Sequence, residues 1–157
     1  MADKSKLGME FPPYTYVVEK GKIAEFAMCV AQKDDKFAVN PIYVDSAAAK
    51  KEGYKDVIIT PTMSTCFSLW AGGGLGGMIE VLGIDLGRLL HGEEEYEYFG
   101  EINPGDVMTG KTKVVQMYDK EKKNQPGKFM EFTVMETEIR NQRGELVLKS
   151  RTTTVER

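Results

Sequence analysis

Ile23, Phe26, Ala27 and Val30 recur at the spacing of one helix face, so an amphipathic helix is expected over about residues 20–31 with its apolar stripe turned inward. A charged loop, residues 32–36, should follow, and Pro41 pushes Asn40 out of the helical region into an extended turn. Three alanines, Ala47 to Ala49, predict a short helix capped by Asp45 or Ser46 and stopped by Gly53. A brief β-branched run over residues 57–60 ends at Pro61. Residues 63–71 then read as a buried helix carrying Phe67, Leu69 and Trp70, the candidate central helix. Five glycines among residues 72–77 break it, and residues 78–90 supply further apolar surface.

From about residue 89 the period changes from that of a helix to that of a strand. Residues 93–99 alternate acidic and aromatic positions, which puts Tyr96 and Tyr98 on one face and the glutamates on the other. Residues 107–118, 128–140 and 145–155 are β-rich runs parted by polar turns, among them Asn103-Pro104-Gly105 and Asn124-Gln125-Pro126-Gly127, and they are expected to form an antiparallel meander. An early strand at about residues 15–18 brings the count to five. The pattern therefore predicts an α+β domain in which a curved antiparallel sheet wraps an apolar helix.

Composition adds bounds. At 157 residues the chain suits one domain, with residues 1–11 as a tail and 12–157 as the folded unit. The net charge of -3 is interspersed, and its short lysine runs are interrupted by glutamate, so no nucleic-acid partner is expected. No stretch is apolar enough for a signal peptide or a bilayer span, which predicts a cytoplasmic protein without a membrane partner. Cys29 and Cys66 lie in separate apolar segments and are expected as buried, inert thiols. Gly72, Gly74 and Gly77 satisfy the glycine spacing of a dinucleotide loop, but the run follows a helix rather than a strand, so that reading fails.

The segment Ala-Val-Asn-Pro-Ile-Tyr-Val-Asp-Ser-Ala-Ala-Ala, from Ala38 to Ala49, resembles the signature of the MaoC-type (R)-specific enoyl-thioester hydratases. That signature runs Asp-x-Asn-Pro-aliphatic-His, then five residues, then Ala or Ser. Asn40, Pro41, Ile42 and Ala49 fall in register, whereas Ala38 stands at the Asp position and Tyr43 at the His position. Leu90-His91-Gly92-Glu93, the segment Thr60-Pro61-Thr62 and Asn103-Pro104-Gly105-Asp106 are similar to the non-catalytic half of such proteins, and to accessory subunits of (3R)-hydroxyacyl-carrier-protein dehydratases. The likeness covers about residues 12–156. It implies the hot-dog fold, an acyl thioester as ligand, and two hot-dog units side by side with the thioester near their junction. Asn40, Tyr43, Pro61, Thr62, His91 and Gly92 would border that cleft. No separate cofactor is implied, since the pantetheine of coenzyme A or acyl carrier protein is part of the substrate.

Hydration of an enoyl thioester needs one group to deprotonate water and another to deliver a proton to the α-carbon. Alanine does neither, and a phenol with a reference pKa of about 10 is a poor base near neutrality. Asp34 and Asp35 lie close by but at the wrong spacing, and Asp45 suits a helix cap. His91 is the chain's one imidazole, the fallback catalytic candidate, and it has no second metal ligand at helical or hairpin spacing. Three functions are compatible with these residues. One is a catalytically degenerate, substrate-binding subunit whose hot-dog partner carries the Asp and His. The others are a self-sufficient homodimeric hydratase or dehydratase using His91 or Tyr43 with a nearby Asp, and a non-enzymatic homodimer that senses acyl-CoA.

Overall fold

The computed structural model describes residues 2–31 and 39–157, so Ala38, Asp34 and Asp35 lie outside the described residues. The chain runs β1 (Tyr14–Val17), α1 (Lys20–Val30), α2 (Ser46–Lys51), α3 (Thr65–Ala71), α4 (Gly74–Leu82), β2 (Leu89–Tyr98), β3 (Val107–Glu121), β4 (Phe129–Arg140) and β5 (Leu146–Glu156). All five strands form one antiparallel sheet in the order β1-β3-β4-β5-β2, and the helices cover one face. This is the α+β hot-dog arrangement that the sequence predicts.

The expected meander holds only for β3, β4 and β5. Strand β2 pairs with β5 on the far edge instead of with β3. The link over residues 99–106 is too long for a tight hairpin, and its Asn-Pro-Gly turn is tied to β1 by Gly105 N–H to Val18 O and Val18 N–H to Asp106 O. Those bonds carry the chain across the end of the core from one sheet edge to the other.

The central helical layer is two short helices, not one long one. Phe67 is fully buried, but Leu69 and Trp70 are each 49% exposed; Leu69, two positions on, points about 200° around the helix from Phe67. Trp70 leans over Tyr16, which in turn stacks on Phe67 at 4.6 Å between ring centroids. The break is shorter than the glycine run: only Gly72 and Gly73 separate α3 from α4, and Gly74 to Gly77 form the first turn of α4.

Two apolar clusters fill the concave face of the sheet. One gathers Tyr14, Ile23, Val57, Met63, Phe67, Met108, Ile139 and Leu148; the other holds Leu82, Ile84, Val114 and Met135. Residues 2–11 are not loose, since Gly8 N–H and Phe11 N–H bond to Val114 O and Thr112 O of β3 and Ala2 joins the second cluster. Of the two thiols expected in the core, Cys29 is exposed on α1 and Cys66 only half-buried. In α1 the buried positions are Ile23 and Ala27, and Cys29 lies 200° around from Ala27.

Tyr14 fixes how these layers meet. Its ring lies over Gly110 of β3, in the space a Cβ there would fill, and against Gly72 at the end of α3, where a Cβ would approach the ring to 2.8 Å. Gly110 is therefore required by this ring, and Gly72 by the ring together with the Ser68 carbonyl, 2.8 Å from the same Cβ position. Burial pushes the Tyr14 phenol up to about 12. Replacing Gly110 by Ala should lower stability by about 1–3 kcal/mol, the usual result of overpacking a filled core. Urea unfolding of Gly110→Ala beside the parent protein measures this, and an unchanged midpoint would mean that the ring does not occupy that space.

Candidate functional site

The Asn-Pro loop is a 3₁₀ turn over Pro41–Tyr43. Pro41 suits its first position because a helix start leaves that N–H unpaired, and Asn40 Oδ1 accepts from Ile42 N–H at 3.2 Å. Asp45 then caps α2, accepting from Ala47 and Ala48 N–H at 2.7 and 3.3 Å, and Gly53 ends it with a φ of 94°. Ile42 and Tyr43 pack half-buried on the first apolar cluster.

From there the chain returns along Ile102 and Asn103. Ile59 N–H donates to Ile102 O, and Asn103 Nδ2 donates to Val57 O at 3.1 Å. These bonds hold residues 57–60 extended without making them a strand. The turn Thr60-Pro61-Thr62-Met63 that follows brings the Pro61 carbonyl to β2, where Tyr98 Oη donates to it at 2.9 Å. Tyr96, two positions back on the same face, is hydrogen-bonded to the Thr65 hydroxyl. The hydroxyls of Thr60 and Ser64 are buried and have no hydrogen-bond partner among the described residues. Ser64 stands beside the Tyr98 phenol without forming a hydrogen bond of normal geometry.

Electrostatically the cluster is a set of donors. Burial raises the Tyr98 phenol; the Ser64 hydroxyl works against this and the nearby Tyr43 phenol adds to it. Burial likewise raises Tyr96 to about 12, partly opposed by Thr65. Both phenols stay protonated at neutral pH. The Tyr98 proton is given to Pro61 O and Tyr96 is paired with Thr65, so the hydroxyls of Thr60 and Ser64, which have no partner among the described residues, are the donors left over, and none of the four is a base there.

The six residues expected at a shared cleft divide into two groups. Asn40 and Tyr43 belong to the 3₁₀ turn, Pro61 O accepts from Tyr98, whose phenol feels that of Tyr43, and Thr62 is exposed in the same turn as Pro61. His91 and Gly92 sit at the start of β2. His91 pairs with Thr154 whereas Tyr98 pairs with Leu148, seven positions further along, so the two ends are roughly 20 Å apart at about 3.3 Å per residue. A β-bulge marks Gly92, where a Cβ would meet Val155 Cγ2 at 2.9 Å and Thr153 O at 3.0 Å. His91 Nε2 lies 3.3 Å from Glu94 Oε2, but its side chain is 61% exposed. The Glu94 side chain is only 15% exposed, so the imidazole lies at the surface beside a largely covered carboxylate.

Sequence reading placed Tyr96 and Tyr98 on one face without linking them to Pro61, took Thr60 only as part of the Thr60-Pro61-Thr62 segment, and passed over Ser64 and Thr65. Period-two alternation shows which way the tyrosines point, and only the crossover that puts β2 beside β5 shows what they meet. Tyr98→Phe removes one hydrogen bond to Pro61 O and should lower stability by about 1 kcal/mol. It should also make the peptide groups of residues 60–64 exchange faster, as read by hydrogen-deuterium exchange. Unchanged exchange there would show that the phenol does not hold the turn.

A family model described as the FAS1-like dehydratase domain region matches residues 5–150. A UPF0336 protein of Thermobifida fusca is 34% identical over 145 residues, covering 92% of this chain and 86% of the relative. Among solved structures, a MaoC-like dehydratase superposes with a TM-score of 0.77 at 20% identity, over 98% of this chain and 42% of the other. The C-terminally truncated HadBC (3R-hydroxyacyl-ACP dehydratase) complex of Mycobacterium tuberculosis gives 0.72 at 16% identity, over 97% of this chain and 98% of the other. These structural likenesses establish the hot-dog fold.

Proposed function

The chain belongs to the FAS1-like dehydratase-region family, and from that membership we propose that it is the acyl-thioester-binding, catalytically degenerate subunit of a MaoC-like enoyl-thioester hydratase or 3-hydroxyacyl-thioester dehydratase. One observation carries the reading. A phenol, Tyr43, stands in the loop where the resemblance expects an imidazole, and the chain's single imidazole, His91, sits at the start of β2, roughly 20 Å along the strand from Tyr98, whose phenol feels that of Tyr43. Tyr43 packs partly buried on the first apolar cluster, and a phenol there binds and orients a carbonyl but neither takes a proton from water nor returns one to carbon.

In this reading the partner is a second hot-dog polypeptide that brings the Asp and the His. It pairs along the outer edge of β2, and the likeness to the HadBC complex supports such an arrangement. An antiparallel partner strand on that edge would set the start of β2 beside the partner's own Asn-Pro loop. His91 and Gly92 would then border the partner's reacting groups, while Tyr43, Pro61 and Tyr98 shape the cleft at the other end. The ligand is an acyl thioester of coenzyme A or acyl carrier protein, whose pantetheine is part of the substrate, and no separate cofactor enters.

A second reading, a self-sufficient hydratase, draws on the His91 and Glu94 pair, the one imidazole-carboxylate contact among the described residues. Both readings are tested by following enoyl-CoA hydration with the purified chain and with the chain co-purified from its native source. The expected result is no turnover by the chain alone and turnover by a complex whose second hot-dog polypeptide carries an intact Asp-x-Asn-Pro-x-His. Robust turnover by the chain alone overturns the proposal. If His91→Ala then lowers that turnover more than about tenfold, the second reading replaces it.

A further inference from the structure

The face of the sheet turned away from the helices carries a charge pattern that stops one strand short. Across it, the register aligns Lys113 of β3 with Glu136 of β4, Glu136 with Arg151 of β5, and Arg151 with Glu95 of β2. A parallel row aligns Lys111, Glu138, Lys149 and Glu97. Each row alternates cation and carboxylate from strand to strand. The first begins one position further out, at Glu10, which bridges to Lys113 and lies 3.7 Å from its ammonium. Within the rows, Lys149 reaches Glu136 at 3.6 Å and Glu138 at 3.7 Å.

Both rows end on β2, a ten-residue edge strand paired on one side only. Its outward residues on this face are Glu93, Glu95 and Glu97. All three are exposed, and none forms an ion pair among the described residues. Strand alternation puts these three carboxylates on one face and Glu94, Tyr96 and Tyr98 on the other, and the bulge at Gly92 brings His91, opposite Thr154, into register with the second set.

We propose that this edge is built to add a strand from a different polypeptide bearing Lys or Arg opposite Glu93, Glu95 and Glu97, and to reject a second copy of this chain. Opposed charges on directly facing strand positions stabilise pairing, and like charges there destabilise it. In a two-fold dimer with a continuous sheet, every antiparallel register that overlaps the acidic run sets at least one of these glutamates against a glutamate of the other copy. A basic edge strand continues both rows instead. The inference rests on the proposed partnership with a second hot-dog subunit and specifies that subunit's chemistry. It also selects the heteromeric arrangement over the two homodimeric ones.

The test uses the full chain and a charge-reversed copy, Glu93→Lys/Glu95→Lys/Glu97→Lys, as the basic edge strand. Sedimentation equilibrium at about 50 mM salt, where screening is weak, compares the parent, the reversed copy and their mixture. The mixture should form one-to-one dimers at least about tenfold more tightly than either protein alone, and about 0.5 M salt should erase the difference. Should the reversed copy fail to fold, Glu93→Gln/Glu95→Gln/Glu97→Gln takes its place, and that variant should self-associate at least about tenfold more tightly than the parent. A parent protein that dimerises as tightly as the mixture, or as the Gln variant, overturns the proposal. So does the absence of association in every sample. No thioester or catalytic partner is present, so either result leaves the acyl-binding reading to its own activity test.

Discussion

One aromatic ring sets the geometry on which the candidate site depends. Tyr14 lies between Gly72 and Gly110, and so joins β1, the end of α3 and strand β3 in a single contact. Protein interiors are packed too densely to tolerate an added methyl group at either glycine without movement. With that contact made, β1 is registered on β3, Tyr16 stacks on Phe67, and α3 is held over the concave face. The turn over residues 60–64, which leads into α3, is then carried to the Tyr98 end of β2. The Asn-Pro loop packs on the same cluster through Ile42 and Tyr43. The donors of the site converge because the layers are pinned, although most of them are far apart in sequence.

Local features of the fold were legible in the residues themselves. The helical stripe Ile23, Phe26, Ala27 and Val30 forms α1, Asp45 caps α2, and the alternating runs become β2 to β5 within a few residues of the expected bounds. What was hidden is non-local. The crossover that sends β2 to the outer edge is made by bonds between Val18, Gly105 and Asp106, which no periodicity reveals. The glycine run was read as a break in the chain, whereas Gly72 answers to a ring 58 positions earlier and Gly74 to Gly77 are helical. The separation of His91 from Pro61 follows only from the register of β2 on β5.

The site's chemistry follows from what burial does to hydroxyls. Desolvation raises Tyr96 and Tyr98 and so keeps them protonated, which favours holding the turn at Pro61 and Thr65 over moving a proton. A two-subunit arrangement divides the work in a physically natural way, with one chain supplying shape and donors and the other the titrating pair. The glutamate-bearing edge of β2 gives such a division a means of choosing its partner, because charge on an exposed strand edge both discourages self-association and selects a complement.

The central claim is that this polypeptide binds an acyl thioester but exchanges no proton with its α-carbon. The most direct measurement is deuterium incorporation at that carbon when the purified chain is incubated with a 3-hydroxyacyl thioester in D₂O and the thioester is analysed by mass spectrometry. The account predicts incorporation no faster than in buffer, at protein concentrations that saturate binding. Incorporation well above buffer, lost on His91→Ala, would contradict it.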